Sequence, residues 1–224
     1  RVSHLVAHNS ALVHELQKER GLSAGYLGNR GEQFAKKLKQ QRNLTDAAFK
    51  RWEEYLASRG GRILDETQRI AISEIENRLL KRDEIRNRVD QTAIELAQAL
   101  KYYTGLNGQL LAFTLLEAQR SQQPQVVRHY VAYDQLLQAK ERAGIERAVL
   151  SNAFAAGEFK QRGYDRFINL VSRQQSYLEG FARLASEKIA SRYNSLRGGD
   201  EFLRVEQLRQ QASTQHYTGG RLKA

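Results

Sequence analysis

The chain has 224 residues, a net charge of +11, one proline, and neither cysteine nor methionine. The absence of cysteine excludes a disulfide framework and a thiolate metal site. No apolar stretch approaches the roughly 18–20 residues that a membrane span needs. The sequence begins at Arg1, which is typical of a piece of a longer protein, so any membrane segments of that protein are expected outside it.

Most of the charge is spread evenly along the chain. Basic residues alternate with Glu and Asp, as between Arg78 and Arg88, and the densest basic cluster, at 36–39, is short. This pattern is typical of solvated helix faces. A net charge of +11 also suits nucleic acid, anionic lipid or small anions, so the composition alone leaves these partner classes open.

Apolar residues recur every three to four positions nearly throughout, which predicts an all-α protein. Long antiparallel helices joined by short turns favour two stacked four-helix bundles, or one bundle whose long helices are shared between two tiers. We expect one domain over residues 1–213 with two sub-bundles, and a loose tail over 214–224. The predicted helices span residues 3–28, 31–58, 62–89, 91–119, 125–142, 145–156, 164–195 and 200–213.

One charged side chain falls on the apolar stripe of the first predicted helix. Steps of three and four residues lead from Leu16 through Arg20 to Ser23 and then Leu27. Arg20 is therefore expected to face the core, and Gly21 beside it leaves room for a close approach. A buried guanidinium needs an anionic partner. That partner is either a core carboxylate or a small anion.

The same pattern recurs in the second half of the chain. Glu146 and Arg147 repeat Glu19 and Arg20, and each pair is followed by a small residue and an aliphatic one. Leu150 follows Arg147 by three residues, which predicts that Arg147 also faces inward. Neither glutamate can pair with its neighbour, because adjacent residues diverge on a helix. Each arginine pairs with a core carboxylate, or both clamp one planar anion, and the duplication slightly favours the clamp.

Two stretches carry a family resemblance: LQKERGLSAGYL at residues 16–27, and KERAGIERAVL at residues 140–150 with Phe154 after it. Together they resemble the nitrate- and nitrite-sensing (NIT) domain family, and the resemblance covers roughly residues 5 to 210. It implies an all-helical sensor domain built as two four-helix bundles. Such domains are the input modules of bacterial chemoreceptors, histidine kinases, cyclic-dinucleotide enzymes and transcription antiterminators.

The resemblance also implies that arginines on the signature helices hold nitrate or nitrite. By position it implicates Arg20 and Arg147, and on the last predicted helix Arg209, with Arg204 as a second choice. Ser23 is a candidate hydroxyl donor beside Arg20. The family usually continues with an aromatic-containing segment and a further helix that are not evident here, so the final helix is expected to be missing or incomplete.

No set of catalytic residues stands out. Residues 198–202 spell the signature of diguanylate cyclases, but fewer than thirty residues follow, and that chemistry needs an α/β domain of about 150 residues. A glycine turn followed by Asp200 as a helix cap explains the match. His4 and His8 have a one-turn spacing that suits a metal, but no third ligand is in view. We therefore predict no enzyme activity, no cofactor and no metal.

The sequence thus predicts a bacterial sensor domain that recognises nitrate or nitrite and passes a helix shift to an output domain. We expect that output in a chemoreceptor or other transmembrane signalling protein, and the domain itself in the periplasm or outside the cell, with the cytoplasm as the alternative. The expected partners are the anion and a second copy in a homodimer, without nucleic acid, and with the membrane only through flanking segments. The alternative function is a basic helical scaffold that binds nucleic acid or a protein partner.

Overall fold

The computed structural model describes residues 2–60, 64–119, 122–159 and 162–222. Every regular element within these ranges is helical, so the all-α prediction is confirmed. A short irregular π-helical segment, Leu56–Gly60, follows the second helix. The α-helices are α1 (Val2–Gly28), α2 (Ala35–Tyr55), α3 (Glu66–Leu79), α4 (Arg82–Asp90), α5 (Leu96–Gln119), α6 (Pro124–Ala156), α7 (Gly163–Leu184), α8 (Glu187–Arg197) and α9 (Asp200–Tyr217).

Local sequence explains several helix ends. Before α3, the Asp65 carboxylate accepts the Gln68 backbone N–H, and the Gln68 side chain accepts the Asp65 backbone N–H, both at 2.9 Å. This capping box pairs two backbone donors that a helix start would otherwise leave free. Pro124 is the first residue of α6, where its missing N–H costs nothing. Gly31 and Gly157 adopt φ angles of 85° and 78° in the turns after α1 and α6, a backbone region that favours glycine.

The chain divides into two compact units, Arg1–Val127 and Arg128–Ala224. In the first unit, α1 packs against α2 and α5 and touches α4, while α3 packs against α5. One buried apolar cluster of this unit joins α2, α4 and α5, through Leu38, Val89, Ile94 and Ala99. In the second unit, one cluster contains Leu150, Ala153, Phe167, Ala212 and Leu222, and another contains Ala132, Phe181 and Ala185.

The C-terminal segment differs from the loose tail that the sequence predicted. Helix α9 continues to Tyr217, and Leu222 is only 3 % exposed. The backbone N–H of Leu222 donates to the carbonyl of Gly157 at 2.7 Å. The chain is therefore anchored up to Leu222, because the Leu222 side chain packs in the core of the second unit. The division into residues 1–213 and 214–224 stays a prediction.

Candidate functional site

The four residues predicted to bind the ligand fall in different surroundings. Arg20 and Ser23 lie on α1 in the first unit and are 2 % and 1 % exposed. Arg147 lies on α6 in the second unit and is exposed, whereas Arg209 on α9 is half-buried. Each unit therefore supplies one of the predicted arginines in a buried or half-buried position.

Arg20 faces the interior of the first unit, as the apolar stripe predicts. Its Nη1 donates a hydrogen bond to Thr104 Oγ1 on α5 at 3.1 Å. This bond crosses the contact between α1 and α5. The neutral Thr104 hydroxyl is thus one of the acceptors for this buried guanidinium.

The carboxylate next to Arg20 is the centre of a buried network that the sequence analysis missed. Glu19 is fully buried and accepts hydrogen bonds from Arg86 Nε and Nη2, each at 2.8 Å, and from the Tyr103 hydroxyl at 2.9 Å. Arg42 Nε lies 4.0 Å from the same carboxylate. The Glu19 carboxylate therefore pairs with the guanidinium of Arg86 and not with that of its sequence neighbour, Arg20.

Electrostatics favour the charged form of this network. Burial raises the pKa of Glu19, but the hydrogen bonds and charge of Arg86 lower it more, so the pKa lies below its usual value. Burial lowers the pKa of Arg86, yet the hydrogen bonds and charge of Glu19 raise it overall. Burial and the nearby Glu19 charge raise the pKa of Tyr103, which remains a donor. Glu19 and Arg86 thus form a charged, doubly hydrogen-bonded ion pair next to Arg20 in sequence.

Arg147 corrects the sequence analysis. It was expected to face inward, but its side chain is exposed and the preceding Glu146 is buried at 3 % exposure. The buried stripe of α6 runs from Glu146 to Leu150 and Ala153. Steps of three and four residues from Leu150 reach both Arg147 and Glu146, so helical periodicity alone could not choose between them. The role of Arg147 in ligand binding stays a prediction.

Arg209 is already engaged by acidic and amide groups. Its Nε and Nη2 donate to the two carboxylate oxygens of Glu146, each at 2.6 Å, and Nη2 also donates to Gln174 Oε1 at 2.7 Å. Its Nη1 donates to Glu206 at 2.5 Å. Burial lowers the pKa of Arg209, but Glu146 more than offsets this and raises it. An anion that binds Arg209 must displace Glu146 or share the guanidinium with it.

The two units therefore repeat one arrangement. In each, a buried glutamate on the first long helix is held by an arginine from a later helix: Glu19 by Arg86, and Glu146 by Arg209. The sequence repeat predicts two equivalent arginines, Arg20 and Arg147. In the structure the equivalent residues are Glu19 and Glu146, each of which accepts a buried ion pair. A signal was available, since Glu19 follows Leu16 by three residues and Glu146 precedes Leu150 by four, both helical steps. The alternating charges around Arg86, however, are typical of a solvated face.

Other features of the described residues add no competing centre. No group of three or more His, Cys, Asp or Glu side chains in the described ranges is placed to hold a metal. A surface pocket of about 490 Å³ lies between the turn after α6 and the C-terminal segment, lined in part by Phe159 and Arg221. None of the four predicted ligand residues lines it.

Comparison with known proteins decides the family. The model of the family described as nitrate and nitrite sensing matches residues 11–224. The chain belongs to this family. It is 28 % identical over 213 residues to a nitrate regulatory protein of Klebsiella oxytoca, covering 94 % of this chain and 52 % of the relative. A solved structure of the NasR transcription antiterminator is similar with a TM-score of 0.87 and 26 % identity, covering 98 % of this chain and 57 % of that one.

These comparisons correct three predictions about the biological setting. The chain spans about half the length of the relatives it matches. The membrane chemoreceptor and the periplasmic or extracellular location are contradicted, because the relatives are a nitrate regulatory protein and a transcription antiterminator. The exclusion of nucleic acid as a partner is contradicted by the same antiterminator. Among the described helices, none combines the length and apolar character of a membrane span.

Proposed function

We propose that this NIT-family chain is the nitrate- or nitrite-sensing part of a regulator of transcription, and that it acts by binding and not by catalysis. The observation that carries the proposal is Arg20, a guanidinium only 2 % exposed on the family's signature helix. The proposal is supported by the relatives, which are named as a nitrate regulatory protein and a transcription antiterminator.

The chemistry of recognition follows from the guanidinium group. Nitrate and nitrite are small planar oxyanions, and a guanidinium offers them parallel N–H donors in one plane. Burial strengthens this attraction, because fewer water molecules screen the charges. The carboxylate nearest in sequence, Glu19, is committed to Arg86. Arg20 therefore attracts an anion without having to release that ion pair.

Signal transmission would start at the contact between α1 and α5. An anion on Arg20 competes with the Thr104 hydroxyl that this arginine contacts across the two helices. Packed helices respond to such changes by shifts of about 1–2 Å. Because Glu19 on the same helix is tied to Arg86, movement of α1 also pulls on α4. The proposed output of the first unit is this coupled displacement.

Isothermal titration calorimetry with nitrate tests the sensing role. Replacing Arg20 by alanine is expected to weaken binding at least tenfold, since the loss of charged hydrogen bonds costs about 1.5–3 kcal/mol. Arg88→Ala is the control, because it removes an equal charge from a side chain that is 41 % exposed. Equal affinity of the wild type and Arg20→Ala would refute the proposal. Arg147→Ala, Arg209→Ala and Ser23→Ala in the same titration test the other predicted contacts.

The regulatory role needs a separate test, since this chain covers only part of its relatives. We propose that nucleic acid is the partner of the complete regulator, a proposal that the net charge of +11 supports. A transcription assay with the complete protein, with and without nitrate, should show nitrate-dependent readthrough of a terminator. RNA titrations of the 224-residue chain at about 50 and 200 mM salt would show whether this part contributes, because phosphate contacts give a steep salt dependence. Equal readthrough with and without nitrate would refute the regulatory role.

A further inference from the structure

A surface pocket of the second unit combines two aromatic rings with a cation. It lies between the turn after α6 and the C-terminal segment, and its volume of about 490 Å³ is typical of a small-ligand site. Phe159 and His216 supply the rings, and Arg221 supplies the charge. The proposed sensing of nitrate uses none of these three side chains.

The two rings form perpendicular walls of the pocket. The ring centroids of Phe159 and His216 lie 5.7 Å apart, with an angle of 89° between the ring planes. Aromatic rings attract each other both when they stack with an offset and when the edge of one meets the face of the other. A flat ring that stacks on one wall therefore meets the other wall in the second of these geometries. The pair suits one planar heteroaromatic group.

Further rings hold both walls in place. Tyr164 stacks on the imidazole of His216, with the centroids 4.0 Å apart and the planes inclined by 18°. Phe159 stacks on Phe167 at 5.6 Å, and Phe167 is only 1 % exposed in the core of the second unit. The walls are therefore largely fixed before a ligand arrives, which lowers the entropy that binding costs.

Arg221 is positioned at the same pocket by its neighbours. Its Nε lies 2.7 Å from the point that a Cβ atom on Gly157 would occupy, so the side chain lies directly over this glycine. The next residue, Leu222, is buried and donates its backbone N–H to the Gly157 carbonyl at 2.7 Å. Within the described ranges, Arg221 makes neither a hydrogen bond nor an ion pair, even with Glu158, which lines the same pocket. Its guanidinium is thus available to a phosphate.

We infer that this pocket binds one nucleotide of a single-stranded RNA, with the base against Phe159 and His216 and a phosphate on Arg221. This inference rests on the proposed nucleic-acid partner of the complete regulator, and it gives that partner a contact in this chain. Unpaired bases offer a flat face for stacking on aromatic side chains, and each nucleotide carries a phosphate for a cation. The pocket supplies both kinds of contact side by side.

Fluorescence anisotropy of a short labelled single-stranded RNA of mixed sequence tests the assignment with the 224-residue chain. His216→Ala and Arg221→Ala are each expected to weaken binding at least about fivefold, the low end for one lost stacked base. His216→Phe keeps a flat ring and should restore binding. Two controls should bind as the wild type does: Arg192→Ala, which removes an exposed charge on α8, and Tyr217→Ala, which removes a ring outside the pocket.

Salt dependence separates the phosphate contact from the base contact. One phosphate contact to a single strand contributes about 0.7 to the slope of log K against log salt concentration. Arg221→Ala should therefore reduce the slope by that amount. His216→Ala should weaken binding and keep the slope at about pH 8, where an ordinary imidazole is neutral. A general loosening of the fold would not divide the two effects in this way.

Several results would overturn the inference. One is wild-type affinity in both Arg221→Ala and His216→Ala, and another is a wild-type chain that does not bind the strand. Binding of AMP without binding of the strand would overturn the assignment to RNA. Nitrate-dependent readthrough by the complete protein would uphold the regulatory role in each of these cases, so the two proposals fail separately. Thermal unfolding of every variant separates lost binding from lost folding.

Discussion

Arg86 on α4 holds the carboxylate of Glu19 on α1 through two hydrogen bonds of 2.8 Å, and both residues are buried. Charge pairs of this kind are costly to bury and very costly to break. The second unit contains the same arrangement in Glu146 and Arg209. In both units the ion pair joins the first long helix to a later helix, so it restrains how these two helices rotate and slide against each other.

Removing the charge of Glu19 should destabilise the first unit strongly. Glu19→Gln leaves Arg86 buried with two exposed carboxylates, Asp46 at 2.8 Å and Asp83 at 3.8 Å, which are 45 % and 76 % exposed. We expect a loss of about 3 kcal/mol, the low end for a broken buried pair, because Asp46 still compensates part of the charge. Urea denaturation followed by circular dichroism measures it. The control Glu74→Gln changes an exposed carboxylate on α3 and should stay within about 0.5 kcal/mol of the wild type.

The same ion pair should give the protein an acid-sensitive stability. The pKa of Glu19 in the folded state lies below its usual value of 4.5, because Arg86 outweighs burial. The unfolded chain therefore binds a proton first as the pH falls, so the stabilisation is present above 4.5 and is lost below it. Melting temperatures between pH 3 and 7 should fall more steeply for the wild type than for Glu19→Gln. Parallel curves for the two proteins would show that Glu19 does not contribute.

The helical class and the inward position of Arg20 could be predicted from the sequence, because apolar spacing directly reports which side of a helix is buried. The hydrogen-bond and ion-pair contacts around Arg20 could not be predicted in this way. Arg86 lies in a stretch of alternating charges, which has the same pattern whether its face is solvated or packed on α1. Only the path of the chain brings Glu19 to Arg86, 67 residues away.

Helix breaks were harder to predict than helices. A break at Gly144 was expected, but α6 runs through it, since a glycine costs a helix only about 1 kcal/mol and Glu141 and Glu146 on either side are buried. Conversely, the helix predicted over 62–89 is interrupted between α3 and α4 without a glycine or proline. Tertiary packing places Leu79 and Val89 in the core on either side of that turn, and such packing leaves no local signal.

Truncation of Leu222 should show that the C-terminal segment is anchored. Leu222→Ala removes a side chain that packs with Leu150 and Phe167, and should cost about 2 kcal/mol. Limited proteolysis should then cleave the segment after Tyr217 faster than in the wild type, because the anchored state is less populated. Tyr217→Ala is a control, since that side chain is 78 % exposed. Equal cleavage of all three proteins would show that the segment is free despite its buried leucine.

Asn107 offers a test of what an unpaired buried amide costs in stability. Asn107→Leu keeps the approximate shape and removes two unpaired polar atoms, so the nitrate-free protein should become more stable by about 1–2 kcal/mol. Differential scanning calorimetry measures the change.

The same substitution at Asn9 supplies the contrast. Asn9 is also fully buried, but its Oδ1 accepts a hydrogen bond from Trp52 Nε1 at 2.5 Å. Asn9→Leu should therefore destabilise the protein by about 1–3 kcal/mol, because it leaves the indole N–H of Trp52 without its acceptor. Equal destabilisation by Asn107→Leu and Asn9→Leu would show that the Asn107 amide is hydrogen-bonded in the folded protein.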